Sequence, residues 1–172
     1  MASLSESELY ALLSQVKLLV LDVDGVLTDG GLYFTENGEE LKKFNVKDGM
    51  GIKLLQKAGI EVAIISASNS TAILHRARKL GIKYAFIGTE NKLETLETLC
   101  NKLELSFSQV AHIGDDVNDL PIFQAIGIPL TVADAMPINR AKARYVTQNP
   151  GGRGAVREVC DLILSAIQQN KD

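Results

Sequence analysis

Short apolar runs alternate along this chain with longer stretches in which apolar positions recur every three or four residues. Leu18-Leu19-Val20-Leu21 is the clearest run, and Val62-Ala63-Ile64-Ile65 follows the same form. A continuous apolar run ending in polar or turn residues predicts a strand buried on both faces of a parallel sheet. The pattern predicts further strands at Lys83 to Ile87, Val110 to Gly114, Ile128 to Val132 and Arg144 to Val146. Helical periodicity fills the intervals, at about 4–15, 70–80, 91–103, 117–125 and 153–169. Ser5 and Glu8 are placed to form a capping box at the first helix. Asp48 is read as the N-cap of a further helix ending at Gly59. Strands alternating with helices imply right-handed βαβ units. The expected fold is therefore α/β and Rossmann-like, a mainly parallel sheet with helices on both faces.

One insertion breaks the alternation. Residues 31–45 carry Gly31-Leu32-Tyr33-Phe34-Thr35, then Glu36-Asn37-Gly38-Glu39, then Glu40 to Asn45. Asn-Gly between extended segments predicts a small β-hairpin. No internal repeat, linker or low-complexity segment divides the chain, so residues 1–172 are read as a single domain.

Composition narrows the classes. Hydrophobic residues make up 46% and charged residues 23%, ordinary for a soluble globular protein. A formal net charge of -3 supplies no overall basic field for nucleic acid. No apolar run approaches the roughly 20 residues that span a bilayer. The first segment, MASLSESELYALLSQ, is polar and amphipathic, unlike a signal peptide. Cys100 and Cys160 lack metal-ligand spacing and are read as reduced core thiols, so a cytoplasmic protein is expected.

Polar residues stand in order where the strands end. The first strand ends in Asp22, with Asp24 two residues later, and Gly25, Gly30 and Gly31 let the backbone turn. Ser66 follows the second strand and Lys92 the third. Gly114-Asp115-Asp116, Asn118 and Asp119 follow the fourth. In a parallel sheet these ends share one edge, where open α/β sheets bind ligands. Carboxylates, a hydroxyl and an ammonium then converge. Hard oxygen ligands suit Mg²⁺, and a lysine with a hydroxyl suits phosphoryl oxygens. Any one of these residues alone would read as a cap or a solvated side chain. It is their ordered co-occurrence that points to phosphoryl transfer. His75 and His112 are read as structural.

The ordered set D-x-D-G, hydroxyl, lysine and G-D-D-x-x-D resembles the haloacid dehalogenase-like phosphohydrolases, over nearly the whole chain. LDVDGVLTDG, the hairpin with Phe44-Asn45-Val46-Lys47-Asp48-Gly49, IGDDVNDLP and GGRGAVREV resemble the subfamily acting on 3-deoxy-D-manno-octulosonate 8-phosphate (KDO 8-phosphate). That resemblance implies hydrolysis of a sugar-acid phosphate in lipopolysaccharide biosynthesis. It implies that Asp22 attacks phosphorus and forms an aspartyl-phosphate, while Asp24 serves as acid and then base. Mg²⁺ would be held by Asp22, the Asp24 carbonyl and Asp115, and the phosphoryl group by Ser66 and Lys92. Asp116 and Asp119 would orient these groups from behind. The subfamily pattern has glycine and arginine after the strand-two hydroxyl, whereas this chain has Ala67 and Ser68. Arginine's bidentate fork is thus missing there, which brings a nonulosonate 9-phosphate into view as a rival substrate. Arg153, in the Gly-rich segment 149–154, is expected to supply substrate binding instead. The resemblance further implies a homotetramer assembled through hairpins, the neighbour completing each site, in place of a cap domain.

Two readings from other classes compete. A phospho-receiver also gathers acidic residues, a hydroxyl, a lysine and Mg²⁺, but its acidic pair comes first and its lysine near the end. Here the acidic pair comes last, after Lys92. A non-catalytic binding protein would leave chemical roles unfilled, and here each is filled.

Overall fold

The computed structural model describes residues 4–170. Its centre is a six-stranded, all-parallel sheet of β1 (Leu18–Leu21), β4 (Glu61–Ile65), β5 (Tyr84–Phe86), β6 (Val110–Ile113), β7 (Ile128–Thr131) and β8 (Tyr145–Val146). A separate antiparallel hairpin pairs β2 (Tyr33–Phe34) with β3 (Glu40–Leu41). The helices are α1 (Glu6–Leu13), α2 (Val46–Lys57), α3 (Thr71–Leu80), α4 (Lys92–Leu103), α5 (Leu120–Ala125), α6 (Pro137–Lys142) and α7 (Ala155–Gln169). The expected doubly covered α/β fold is the one observed.

Strand order is β5-β4-β1-β6-β7-β8. The chain builds outward from β1 on one side and then returns to build on the other. This reversal puts the carboxyl end of β1 at the crevice of the sheet. Every residue of β1 and β6 is buried, which explains why both read as continuous runs rather than alternations. Two apolar layers follow. Leu19, Leu21, Ile52, Ile64, Val156 and Ile163 belong to one face, and Leu18, Val20, Ile65, Leu96 and Ile122 to the other.

Several boundaries differ from the sequence expectation. Asn45, not Asp48, is the N-cap of α2, and its side chain accepts from Lys47 N–H at 2.8 Å. Asp48 instead turns inward, where its carboxylate accepts the Arg157 N–H at 2.9 Å and holds the first turn of α7. That contact joins segments far apart in the sequence and leaves no local signal. Strand pairing in the hairpin is limited to Tyr33 with Leu41 and Phe34 with Glu40, and Thr35 to Glu39 form the turn, with Gly38 at φ +82°. Residues 117–125 divide into a 3₁₀ turn, Val117–Asp119, and α5. Helix α6 was not foreseen, although Pro137 at its first turn is a helix-start signal. Ser5 and Glu8 form the expected capping box.

The Gly-rich segment before α7 is docked on the protein. Gly152 N–H donates to the Val26 carbonyl at 2.9 Å, and Gly151 N–H to Asp134 Oδ1 at 2.9 Å. A Cβ at Gly151 would overlap the Gly25 carbonyl, and one at Gly152 would overlap the Thr28–Asp29 backbone. Glycine is required here by close approach to the loop that follows β1, and this contact joins the tail to the site.

Candidate active site

Four strand ends bring the site together. Asp22 directly follows β1, where its N–H donates to the Ile113 carbonyl at 3.0 Å and its Oδ1 accepts the Val23 N–H at 2.8 Å. The chain then turns through Gly25, at φ +83°. Thr28 Oγ1 ties this turn together by accepting the Gly25 and Gly30 N–H groups at 3.3 and 3.2 Å. Ser66 follows β4; its N–H donates to the Phe86 carbonyl, and its Oγ accepts the Ser68 N–H at 3.2 Å. Lys92 opens α4 after the Asn91 cap. Asp115 and Asp119 follow β6, whose last carbonyl neighbour, Gly114 O, accepts from Thr131 Oγ1 at 2.6 Å.

Asp22, Asp24, Gly25, Gly30, Ser66, Ala67, Ser68, Asp115, Asp116, Val117 and Asn118 surround a cavity of about 320 Å³. A wider depression of about 660 Å³, between α1 and α7, is lined by Ser5, Tyr10 and Gln169 among others and holds no comparable convergence of carboxylates. The smaller cavity is the chemical one.

Lys92 is only 3% exposed, and its Nζ lies 3.0 Å from Asp22 Oδ2 and 2.7 Å from Asp119 Oδ1. Burial would lower its pKa, but the two carboxylates outweigh burial and raise it, so the ammonium stays charged. Burial and the charge of Asp119 push Asp22 up, against the pull of Lys92. Burial acts upward on Asp119 as well, yet hydrogen bonds from His112 and Lys92 hold it well below the usual carboxylate range. Asp115 has no such partner. Burial, then repulsion from Asp22, Asp119 and Asp116, pushes it up to about 8.

Asp22, Asp115 and Asp119 bring carboxylate oxygens within 4.8 Å of one another. Asp119 is already committed: Oδ1 accepts from Lys92 and His112, and Oδ2 from the Asp115 N–H at 3.0 Å. Asp22 and Asp115 keep oxygens toward the cavity. The donors are all hard oxygens, as Mg²⁺ requires. Gly25 completes the fit, because a Cβ there would overlap the Asp115 carboxylate. The loop carrying the Asp24 carbonyl can therefore close against Asp115 only with glycine at position 25.

Asp24 is more open. Its Oδ1 accepts from Lys42 Nζ at 2.6 Å, and the same ammonium lies 2.7 Å from Glu40 Oε1. Lys42 follows β3 in the chain and links the hairpin to the site. Sequence reading missed it, because nothing local distinguishes it from the neighbouring Lys43. Sequence reading also missed the partner of His112, whose Nε2 lies 3.1 Å from Asp119 Oδ1. A polar residue inside the buried strand VAHI was the available signal, since a buried polar group needs a partner. Asp116 is exposed and caps the following turn through Val117 N–H at 2.7 Å. Arg153 is exposed and lines a different cavity, of about 470 Å³, with Lys47, Glu158 and Asp161. The fold thus gathers every expected site residue at one edge except Arg153.

The two acidic residues of the last loop should separate in stability. Asp119→Ala strips Lys92 and His112 of a buried partner and should cost about 3–5 kcal/mol in urea unfolding, the range for breaking a buried ion pair. Asp116→Ala removes an exposed cap and should cost about 1 kcal/mol. Equal losses would contradict the division of roles between them.

The chain is similar to known proteins in sequence and fold. A model of the haloacid dehalogenase-like hydrolases matches residues 88–158. The 3-deoxy-D-manno-octulosonate 8-phosphate phosphatase of Escherichia coli K12 is 46% identical over 160 residues, 93% of this chain and 85% of that protein. The crystal structure of the Yersinia pestis phosphatase of the same name superposes with a TM-score of 0.92 at 45% identity, covering 95% of this chain and 88% of that one. The Moraxella catarrhalis phosphatase, solved with magnesium ion, phosphate ion and KDO, has a TM-score of 0.92 at 39% identity, over 96% of this chain and 95% of that one. Identity of this extent, carried by the same fold, places the chain in the haloacid dehalogenase-like hydrolases, within the family of 3-deoxy-D-manno-octulosonate 8-phosphate phosphatases.

Proposed function

We propose that this protein is a Mg²⁺-dependent phosphatase that hydrolyses KDO 8-phosphate to KDO and phosphate. The observation that carries the reading is the buried Asp22–Lys92–Asp119 chain beside Asp115, at the carboxyl end of β1. Kinship with the Escherichia coli and Moraxella catarrhalis phosphatases supplies the substrate.

Asp22 is the nucleophile. Its Oδ1 is held by the Val23 N–H, and Oδ2 lies against Lys92, so the carboxylate is oriented before substrate arrives. Attack on phosphorus gives an aspartyl-phosphate at Asp22. Asp24 donates a proton to the departing sugar oxygen and then takes one from the water that hydrolyses the intermediate. Lys92 and Ser66 hold the phosphoryl oxygens. Asp22, Asp115 and the Asp24 carbonyl would hold Mg²⁺, which when bound neutralises charge on the phosphoryl group. Asp119 and Asp116 support this set from behind. Lys42 ties Asp24 to the hairpin.

Ser68 favours a second substrate reading. It lines the cavity in place of the arginine expected from the family pattern and cannot offer a bidentate fork to a carboxylate. Another 2-keto sugar acid phosphate, such as a nonulosonate 9-phosphate, fits the same catalytic groups. Arg153 is the proposed replacement cation, and its exposure in a separate cavity with Lys47, Glu158 and Asp161 suits a neighbouring subunit's site better than its own.

The protein is proposed to act as a homotetramer. Its hairpin exposes Leu32 at 67%, Phe34 at 59% and Leu41 at 56%, and neighbouring α2 exposes Val46 and Met50. Such an apolar surface calls for a partner, and a second copy would also narrow an otherwise open site. Two buried free thiols, Cys100 and Cys160, suit a reducing cytoplasm. No described helix is long and apolar enough to cross a membrane.

Release of phosphate from KDO 8-phosphate, a nonulosonate 9-phosphate and an aryl phosphate tests the reading. The expected order of kcat/KM places KDO 8-phosphate first, with all turnover lost on chelation of Mg²⁺. Asp22→Asn should abolish release while the fold persists; undiminished release would overturn the nucleophile. Arg153→Ala should raise KM for the sugar-acid phosphate much more than for the aryl phosphate. Equal effects, or none, would remove Arg153 from substrate binding.

A further inference from the structure

His112 is fully buried in β6, behind the Asp22–Lys92–Asp119 chain. Both ring nitrogens face oxygen. Nδ1 lies 3.2 Å from the Val20 carbonyl, and Nε2 lies 3.1 Å from Asp119 Oδ1. A backbone carbonyl only accepts. The Asp119 carboxylate accepts from Lys92 Nζ at 2.7 Å and from the Asp115 N–H at 3.0 Å, with the Asp116 N–H at 3.5 Å. It too is placed as an acceptor.

A neutral imidazole has one N–H and one lone pair. With the proton on Nδ1, the Nε2 lone pair would oppose Asp119 Oδ1. With the proton on Nε2, the Nδ1 lone pair would oppose the Val20 carbonyl. Each neutral tautomer leaves one repulsive contact in a dry interior, where an unmatched polar pair is costly. A ring protonated on both nitrogens satisfies both acceptors.

The groups packed around the ring are Asp119 from the 3₁₀ turn, Lys92 from α4 acting on the same Asp119 oxygen, the Val20 carbonyl of β1 and the edge-on Phe123 ring of α5, 5.8 Å away. Asp22 lies beyond Lys92. Asp22 and Asp119 are two negative charges sharing one buried ammonium.

We propose that His112 is a doubly protonated imidazolium in the folded protein and a positioning residue for the phosphatase reaction. Its N–H fixes Asp119 from behind, so that Asp119 orients Lys92 without consuming its whole charge. Lys92 then keeps charge for Asp22 and for the transferred phosphoryl group. The positioning role rests on the phosphatase reading; the charge state does not.

Two measurements decide it. The chain has two histidines, and His75 is exposed on α3, so His75→Gln leaves His112 alone in the spectrum. Ring nitrogen-15 shifts at neutral pH should show both nitrogens carrying protons. One protonated and one bare nitrogen would overturn the charge assignment. His112→Gln and His112→Phe should lower kcat for an aryl phosphate roughly 10–100-fold, the range seen when an orienting partner is removed, while KM moves far less. Unchanged kcat in either folded variant would overturn the positioning role and leave His112 as a packing residue. Should His112→Phe not fold, His112→Gln carries the kinetic arm. An inactive wild-type protein would instead overturn the phosphatase reading, and the nitrogen shifts, which need no turnover, still decide the charge.

Discussion

Burying the carboxylates of Asp22 and Asp119 side by side would be prohibitively costly without the Lys92 ammonium between them, 3.0 Å from one and 2.7 Å from the other. Much of the site's geometry follows from that ion pair. It requires α4 to start at Asn91, so that Lys92 enters at the strand ends. It requires the loop after β6 to return Asp119 beneath the sheet edge, which the Asp115 N–H and His112 enforce. It also leaves Asp115 without a cation of its own, and repulsion there favours either a proton or a divalent ion. The site is therefore stable as a scaffold and electrostatically unfinished at one position.

The same constraint reaches the tail. Gly25 must stay small for the loop after β1 to meet Asp115, and Gly151 and Gly152 must stay small for the tail to lie on that loop. Gly25 and the Gly151–Gly152 pair, far apart in sequence, thus meet between the α7 entry and the proposed metal position. Lys42 adds a tie from the hairpin, through Asp24. These contacts tie both the hairpin and the tail to the loop after β1.

Much of this was legible in the sequence because β1, β4 and β6 are buried on both faces and read as unbroken apolar runs, and because parallel strands send their polar ends to one edge. Asp22, Ser66, Lys92, Asp115 and Asp119 could be found that way. Contacts between distant segments left no such trace. Asp48 looked like a cap because caps are local, yet its partner is Arg157 N–H on α7. Lys42 looks ordinary in its own segment and gains meaning only when the hairpin meets Asp24, while His112 stands out as a polar residue in a buried strand but finds its partner only when β6 meets the last acidic loop. Arg153 fell in a motif whose glycines proved to be structural, and its side chain faces another cavity.

We propose that Asp115 is the electrostatic gap that Mg²⁺ fills. Burial and repulsion from Asp22, Asp119 and Asp116 push the Asp115 carboxyl up to about 8, so a cation bound there would compete with a proton. Calorimetric titration with Mg²⁺ in two buffers of different ionisation enthalpy measures the exchange directly. The account predicts release of about one proton per ion bound to the wild-type protein at neutral pH, and none for Asp115→Asn. Mg²⁺ binding without proton release, or equal release from Asp115→Asn, would contradict it.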